Sequence, residues 1–199
     1  MRSSKFNRII VRTCIPINVL LFFFGFRSQG QGVDLLGEAC VSDAEADSYK
    51  DKYLDLVHNL PERVAGWPEN PVLERDHLGV VPRTNVSIKI SSLSAKYDPI
   101  DPAGAIDDAL GRLIPILEAA KERGVLINMD TEQADFKDLT FDLWFRACEE
   151  VDFEAGLAMQ AYLKSGEEDA KRVACTSATS STSSATPTKS AANAPGSPA

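Results

Sequence analysis

The chain has 199 residues, with 21 Lys and Arg against 29 Asp and Glu, and a formal net charge of −8. This length suits one domain or a little more and falls short of the roughly 250 residues of a complete eight-unit α/β barrel. The acidic balance argues against nucleic acid as a partner, because phosphates reward clustered Lys and Arg.

Cys14, Cys40, Cys148 and Cys175 form no CxxC and no Cys/His cluster. Neither a metal site nor a disulfide framework is expected, and free thiols in a reducing compartment are the default. Along the chain the composition divides into three regions: an apolar leader over 1–31, an alternating α/β portion over 32–174, and a Ser/Thr/Ala/Pro tail over 175–199.

In the leader, Lys5, Arg8 and Arg12 precede the apolar run 15–26, IPINVLLFFFGF. A basic stretch before about a dozen apolar residues follows the grammar of a secretory signal, and is shorter than the ~20 residues of a membrane-spanning helix. No small-x-small cleavage site follows, since the next residues are Arg27, Ser28, Gln29 and Gly30. The leader is therefore read either as a signal or as a non-native extension.

The first unit opens with the apolar stretch Val33, Asp34, Leu35, Leu36, read as a short buried strand. Ser42 and Glu45 have the S-x-x-E spacing of a capping box, which satisfies orphan amides at a helix start. The helix is expected to run to about Leu60, with Ala46, Tyr49, Tyr53, Leu56 and Leu60 on one face. Residues 61–84 carry four prolines and read as an irregular connection.

The second unit begins at Val86, Ser87, Ile88, Lys89, Ile90, Ser91, whose alternation puts Ser87, Lys89 and Ser91 on one strand face. Asp101 and Pro102 supply an N-cap and an N1 proline for a helix that Gly124 stops. The third unit has a strand over 125–130, a loop holding Glu132 and Lys137, and a helix over about 138–150. The fourth has a strand over 156–162. Ser165 and Glu168 then open a helix expected to end near Ala174. Four βα units in succession predict a parallel sheet. The tail has no apolar periodicity and no aromatic residue, so it is expected to be disordered.

Polar residues stand at or near each strand's C-terminal end: Glu38, Lys89, Asp130 and Gln160. That is where α/β barrels place their chemistry, although strand ends often carry polar residues merely as loop starts. Lys89 differs, because it lies inside a strand-like segment. Aimed into a barrel, it must meet an anion or a water-filled pocket, since burying a bare ammonium is costly; a carboxylate-bearing substrate would satisfy it. On the alternation alone, a lysine whose stem lies along the surface is the competing reading.

Four segments carry a more specific signal: VDLLGEA from Val33, VSIKISSL from Val86, INMDTE from Ile127 and MQAYL from Met159. In this order they resemble the flavin-dependent proline dehydrogenase domain, in the form that bacteria fuse to an aldehyde dehydrogenase, over about 33–174. The resemblance implies a partial (βα)8 barrel of about four units with non-covalent FAD. It implies oxidation of L-proline to 1-pyrroline-5-carboxylate, with hydride passing to flavin N5 and electrons onward to a membrane quinone. Lys89 would pair with the proline carboxylate, Gln160 would hydrogen-bond the isoalloxazine, and Asp130 would lie beside flavin and substrate. Glu38 would be half of an ion pair closing over the substrate. The cofactor does the redox chemistry while the protein supplies position and charge.

The family's barrel continues with four more units, so the chain is expected to be a truncated form. It would be cytoplasmic or peripheral at the membrane, and would need a second copy or a separate barrel half to close. Strands one and four would each carry an unpaired edge, so the isolated chain is expected to be poorly soluble or dimeric, without retained flavin or turnover. An exported or membrane-tethered chain with a disordered tail is the alternative reading.

Overall fold

The computed structural model describes residues 10–13, 31–35, 39–71, 74–76, 79–153 and 155–180. In chain order the elements are β1 (Ile10–Thr13), β2 (Gln31–Asp34), α1 (Asp43–Ala65), β3 (Arg75–Asp76), β4 (Gly79–Val80), β5 (Thr84–Lys89), α2 (Pro102–Arg123), β6 (Leu126–Asp130), α3 (Lys137–Glu150), β7 (Ala155–Met159) and α4 (Gly166–Ser180). Single 3-10 turns follow β5 at Ile90–Ser92 and precede α3 at Ala134–Phe136. The main sheet has the order β1-β7-β6-β5-β2 and every pairing in it is parallel. β3 and β4 form a separate antiparallel hairpin.

The alternation of β5 divides the sheet into two faces. Val86 and Ile88 are buried, while Asn85, Ser87 and Lys89 are half-buried. On the first face Val86 and Ile88 join Ile127 and Met129 of β6 and Leu157 and Met159 of β7 in one apolar core. Helices close that core: Tyr53, Val57 and Val64 from α1, Ala109, Leu113, Ile116 and Leu117 from α2, and Leu143, Trp144 and Ala147 from α3. Each fully buried aliphatic side chain contributes about 1.5–3 kcal/mol, so this one-sided layer holds the fold. The other sheet face is the polar one.

Local signals explain the helix boundaries. Asp101 Oδ1 accepts from the Gly104 amide at 3.1 Å, with Pro102 first in α2. Gly124 ends α2 at φ 65°, a left-handed conformation that only glycine adopts without strain. At α1, Ser42 Oγ accepts from the Glu45 amide at 3.2 Å, but the Glu45 carboxylate returns to the Val41 amide at 3.0 Å, one residue before the expected position. At α4, the Ser165 hydroxyl donates to Asp169 Oδ2 at 2.8 Å, so Asp169 rather than Glu168 is its partner.

Several expectations need correction. α1 continues past Leu60 and Pro61 to Ala65, because Leu60 and Val64 are still buried against the sheet, and that burial offsets the interior proline. The stretch read as irregular holds the β3–β4 hairpin, and β5 starts two residues early. β5 stops at Lys89, so Ser91 lies in the 3-10 turn and not on the strand face. The fourth strand ends at Met159, leaving Gln160 one residue beyond it. α4 runs through Ser180, into residues expected to be disordered; once anchored, a helix propagates at little cost per residue. β7 is not an edge, because Ile10–Thr13 of the expected leader pairs with it from Ile10↔Gly156 to Thr13↔Met159. The first strand is Gln31–Asp34 rather than 33–36. The apolar run 15–26 and residues 181–199 lie outside the described residues. Among those described, no helix is long and apolar enough to cross a membrane.

Candidate active site on the polar face of the sheet

The parallel register lines up the polar face in rows. Ser87 stands opposite Asn128, and Asn128 opposite Gly156; one row further on, Lys89 stands opposite Asp130, and Asp130 opposite Ala158. Two adjacent strands thus bring a cation and a carboxylate to neighbouring positions at their C-terminal ends.

The Asp130 carboxylate is held from its own sheet. Ser87 Oγ lies 3.1 and 3.2 Å from its two oxygens, and Asn128 Nδ2 donates to Oδ1 at 2.9 Å. Asn128 Nδ2 also lies 3.2 Å from Ser87 Oγ. Asn128 is 4 % exposed, so its amide has no water to turn to and its orientation is set by these partners. Gly156 makes this possible: a Cβ there would lie 2.8 Å from Asn128 Oδ1. The glycine is needed for close approach rather than for its backbone angles.

Side chains also lace the strand ends together. Glu132 accepts from the Ser91 amide at 3.1 Å and from Ser91 Oγ at 2.8 Å, joining the turn after β5 to the loop after β6. Thr131 Oγ1 donates to the Ala158 carbonyl at 2.7 Å, and Gln160 Nε2 donates to the Thr131 carbonyl at 2.8 Å. The Cys40 amide donates to the Ser91 carbonyl at 3.0 Å, bringing the start of α1 to the same end. Burial and the nearby Glu45 charge push the Cys40 thiol above its ordinary range, with Arg112 opposing.

Lys89 and Asp130 are therefore adjacent in the register, and Gln160 reaches the residue that follows Asp130. Glu38 lies outside the described residues. Ser87 was legible as a neighbour of Lys89 by alternation. Asn128 and Gly156 were not singled out, although Asn128 stands two residues before Asp130 and Gly156 four before Gln160, even spacings that keep one strand face. Among the described residues, no group of three His, Cys, Asp or Glu side chains could hold a metal ion.

A family model for proline dehydrogenase matches residues 27–184, wider at both ends than the expected 33–174. The bifunctional protein PutA of Klebsiella aerogenes is 27 % identical over 144 residues, covering 70 % of this chain and 10 % of the relative. PutA of Escherichia coli is 26 % identical over the same length and shares. The chain spans about a tenth of the length of the curated relatives it matches.

Among solved structures, PutA from Bdellovibrio bacteriovorus inactivated by N-propargylglycine aligns with a TM-score of 0.68 and 34 % identity, over 72 % of this chain and 15 % of that one. A Bradyrhizobium japonicum PutA aligns at 0.64 and 22 % identity, over 77 % and 15 %, a likeness of fold alone. The rows of Ser87, Lys89, Asn128 and Asp130 fall inside the matched stretch, and the chain belongs to the proline dehydrogenase family.

Proposed function

We propose that the polar ends of β5, β6 and β7 form the substrate side of a site that oxidises L-proline to 1-pyrroline-5-carboxylate in proline catabolism. The observation that carries this reading is the register pairing of Lys89 with Asp130 on the sheet face opposite the core. Lys89 places its ammonium to receive the proline carboxylate, and a partly desolvated ammonium binds a carboxylate more strongly than one in bulk water. Asp130, fixed by Ser87 and Asn128, sets the orientation of the bound amino acid. Glu38 is assigned to one half of an ion pair closing over the substrate, with its partner supplied by the further barrel units.

FAD fits the residues present. Gly156 and Ala158 put little bulk on the polar face beside Asp130, and the Gln160 amide offers both a donor and an acceptor to a flat heterocycle. The chemistry FAD supplies when bound is acceptance of the hydride leaving proline C5, and a quinone is the onward acceptor. This chain's own residues bind and orient the substrate. The remaining wall belongs to a second copy or to further barrel units, with the chain placed in the cytoplasm or peripherally at the membrane. Family membership and the likeness to the bifunctional PutA proteins support the reading.

The test is proline-dependent dye reduction and proline binding by the chain, alone and with a supplied second half of a proline dehydrogenase barrel. Lys89→Met should lower proline affinity at least tenfold and leave the melting temperature within about 2 °C, since a half-exposed position off the core contributes little to stability. Unchanged proline affinity in Lys89→Met would overturn the assignment.

A further inference from the structure

Lys89 is the last residue of β5, and both polar groups of its backbone are taken by side chains. Its amide donates to Tyr53 Oη of α1 at 3.3 Å. Its carbonyl accepts from Ser92 Oγ at 2.6 Å. A serine hydroxyl has one proton, and Ser92 commits it to that carbonyl. The 3.5 Å contact between Tyr53 Oη and Ser92 Oγ therefore runs with tyrosine as donor. The three bonds close a ring around a single residue: Lys89 amide to Tyr53, Tyr53 to Ser92, Ser92 to the Lys89 carbonyl. Tyr53 and Ser92 are both fully buried, at 0 % exposure, so water does not compete for these groups.

We propose that Tyr53 and Ser92 are positioning residues for Lys89, fixing the root of its long side chain at the point where the strand becomes a turn. This rests on the reading of Lys89 as the carboxylate anchor. A lysine stem has four rotatable bonds, so its ammonium is well placed only if its Cα is. The register with Asp130 fixes Lys89 from β6, and the ring fixes it from α1 and from its own turn. Glu132, on the Ser91 amide and hydroxyl, holds the next residue but one. A buried tyrosine serving only as core filler needs its ring and one partner for its hydroxyl. Tyr53 instead takes the one strand amide that belongs to Lys89.

The experiment uses the full chain as wild type, Tyr53→Phe, Ser92→Ala, Lys89→Met and Tyr53→Phe/Lys89→Met. L-Proline affinity is read by calorimetric titration and amide exchange by heteronuclear NMR. Tyr53→Phe keeps the packed ring and deletes the acceptor. It should weaken proline binding about tenfold and speed exchange of the Lys89 amide about tenfold, while the amides of Ile127 and Met129 keep their protection. In the Lys89→Met background the same substitution should cost no further affinity. Ser92→Ala should repeat the pattern from the carbonyl side and serves where Tyr53→Phe folds poorly. Unchanged Lys89 exchange in both variants would overturn the proposal, as would an affinity loss that persists without Lys89. A wild-type chain that binds no proline would sink the anchor reading alone; the exchange of the Lys89 amide then still decides whether Tyr53 positions it.

Discussion

At the scale of single residues, the site depends on Gly156 as much as on its charged groups. The missing Cβ lets Asn128 lie across β7, and Asn128 in turn holds Asp130 at 2.9 Å. Gly156→Ala would set a methyl 2.8 Å from Asn128 Oδ1, forcing the amide away from Asp130. The expected cost is about 1–3 kcal/mol of stability from overpacking, with a several-fold loss of proline affinity; denaturant titration and calorimetry check both. An unchanged Asn128 side-chain amide resonance would show that the contact does not matter. The thiols give a second test. Burial, and then the Glu149 charge, push Cys148 up to about 12, and Cys40 is also raised. The thiolate is the reactive form, so both should resist iodoacetamide at pH 8 in the folded chain and react on unfolding, as mapped by mass spectrometry.

At the scale of elements, α1 and α2 are joined by one guanidinium. Arg112 Nε donates to Asp47 at 2.8 Å, its NH2 group to Asp43 at 3.2 Å and its NH1 group to Asp108 at 3.1 Å. The Arg112 side chain is only 13 % exposed. Truncating it to alanine would leave Asp43, Asp47 and Asp108 with the longer ion pairs to Lys96 and Lys50, at 3.7 to 3.8 Å, with an expected loss of about 1–3 kcal/mol. The Arg112 hydrogen bond holds the Asp47 carboxyl below its ordinary value. A depressed folded-state value stabilises the fold above the unfolded carboxylate range and is lost as pH falls through the folded value. Arg112→Ala should therefore flatten the stability profile below about pH 4; a profile parallel to wild type would count against the tie.

What the sequence made legible at this scale was what short-range chemistry decides. Asp101-Pro102 and Gly124 bracket α2, and the alternation around Lys89 sets its face. Tertiary partners decided the rest. Ser91 leaves the strand because Tyr53 of α1 and Glu132 of the β6 loop, together with Ser92 of the turn itself, take the backbone and side chains around it. The two-residue strands β3 and β4 are too short for any period to show. α4 is pinned to α3 by Lys137 with Asp169 at 2.9 Å and by Arg172 with Asp142, contacts that no local pattern encodes.

At the scale of the whole molecule, the question is which strand edges are open. Alternation and unit counting placed the open edges at the first and fourth strands. The parallel pairing of Ile10–Thr13 with β7 moves one of them: β7 is covered on both sides, and β1 and β2 are the outer strands. A parallel strand edge with uncommitted amides and carbonyls templates pairing with another chain, and β7 is the longer and better-packed strand, with Leu157 and Met159 in the core. The four residues of β1 therefore protect the edge most able to recruit a partner. Deleting residues 1–13 should expose β7 and drive self-association, seen in sedimentation velocity as loss of the slowest species at concentrations where the full chain retains it. Adding a separate barrel half whose first strand can pair with β7 should suppress that association more effectively with the deleted chain than with the full one, because β1 no longer competes for the edge. Equal sedimentation of the two chains would mean that β1 does not guard β7, and that closure has to be sought at the β2 edge instead.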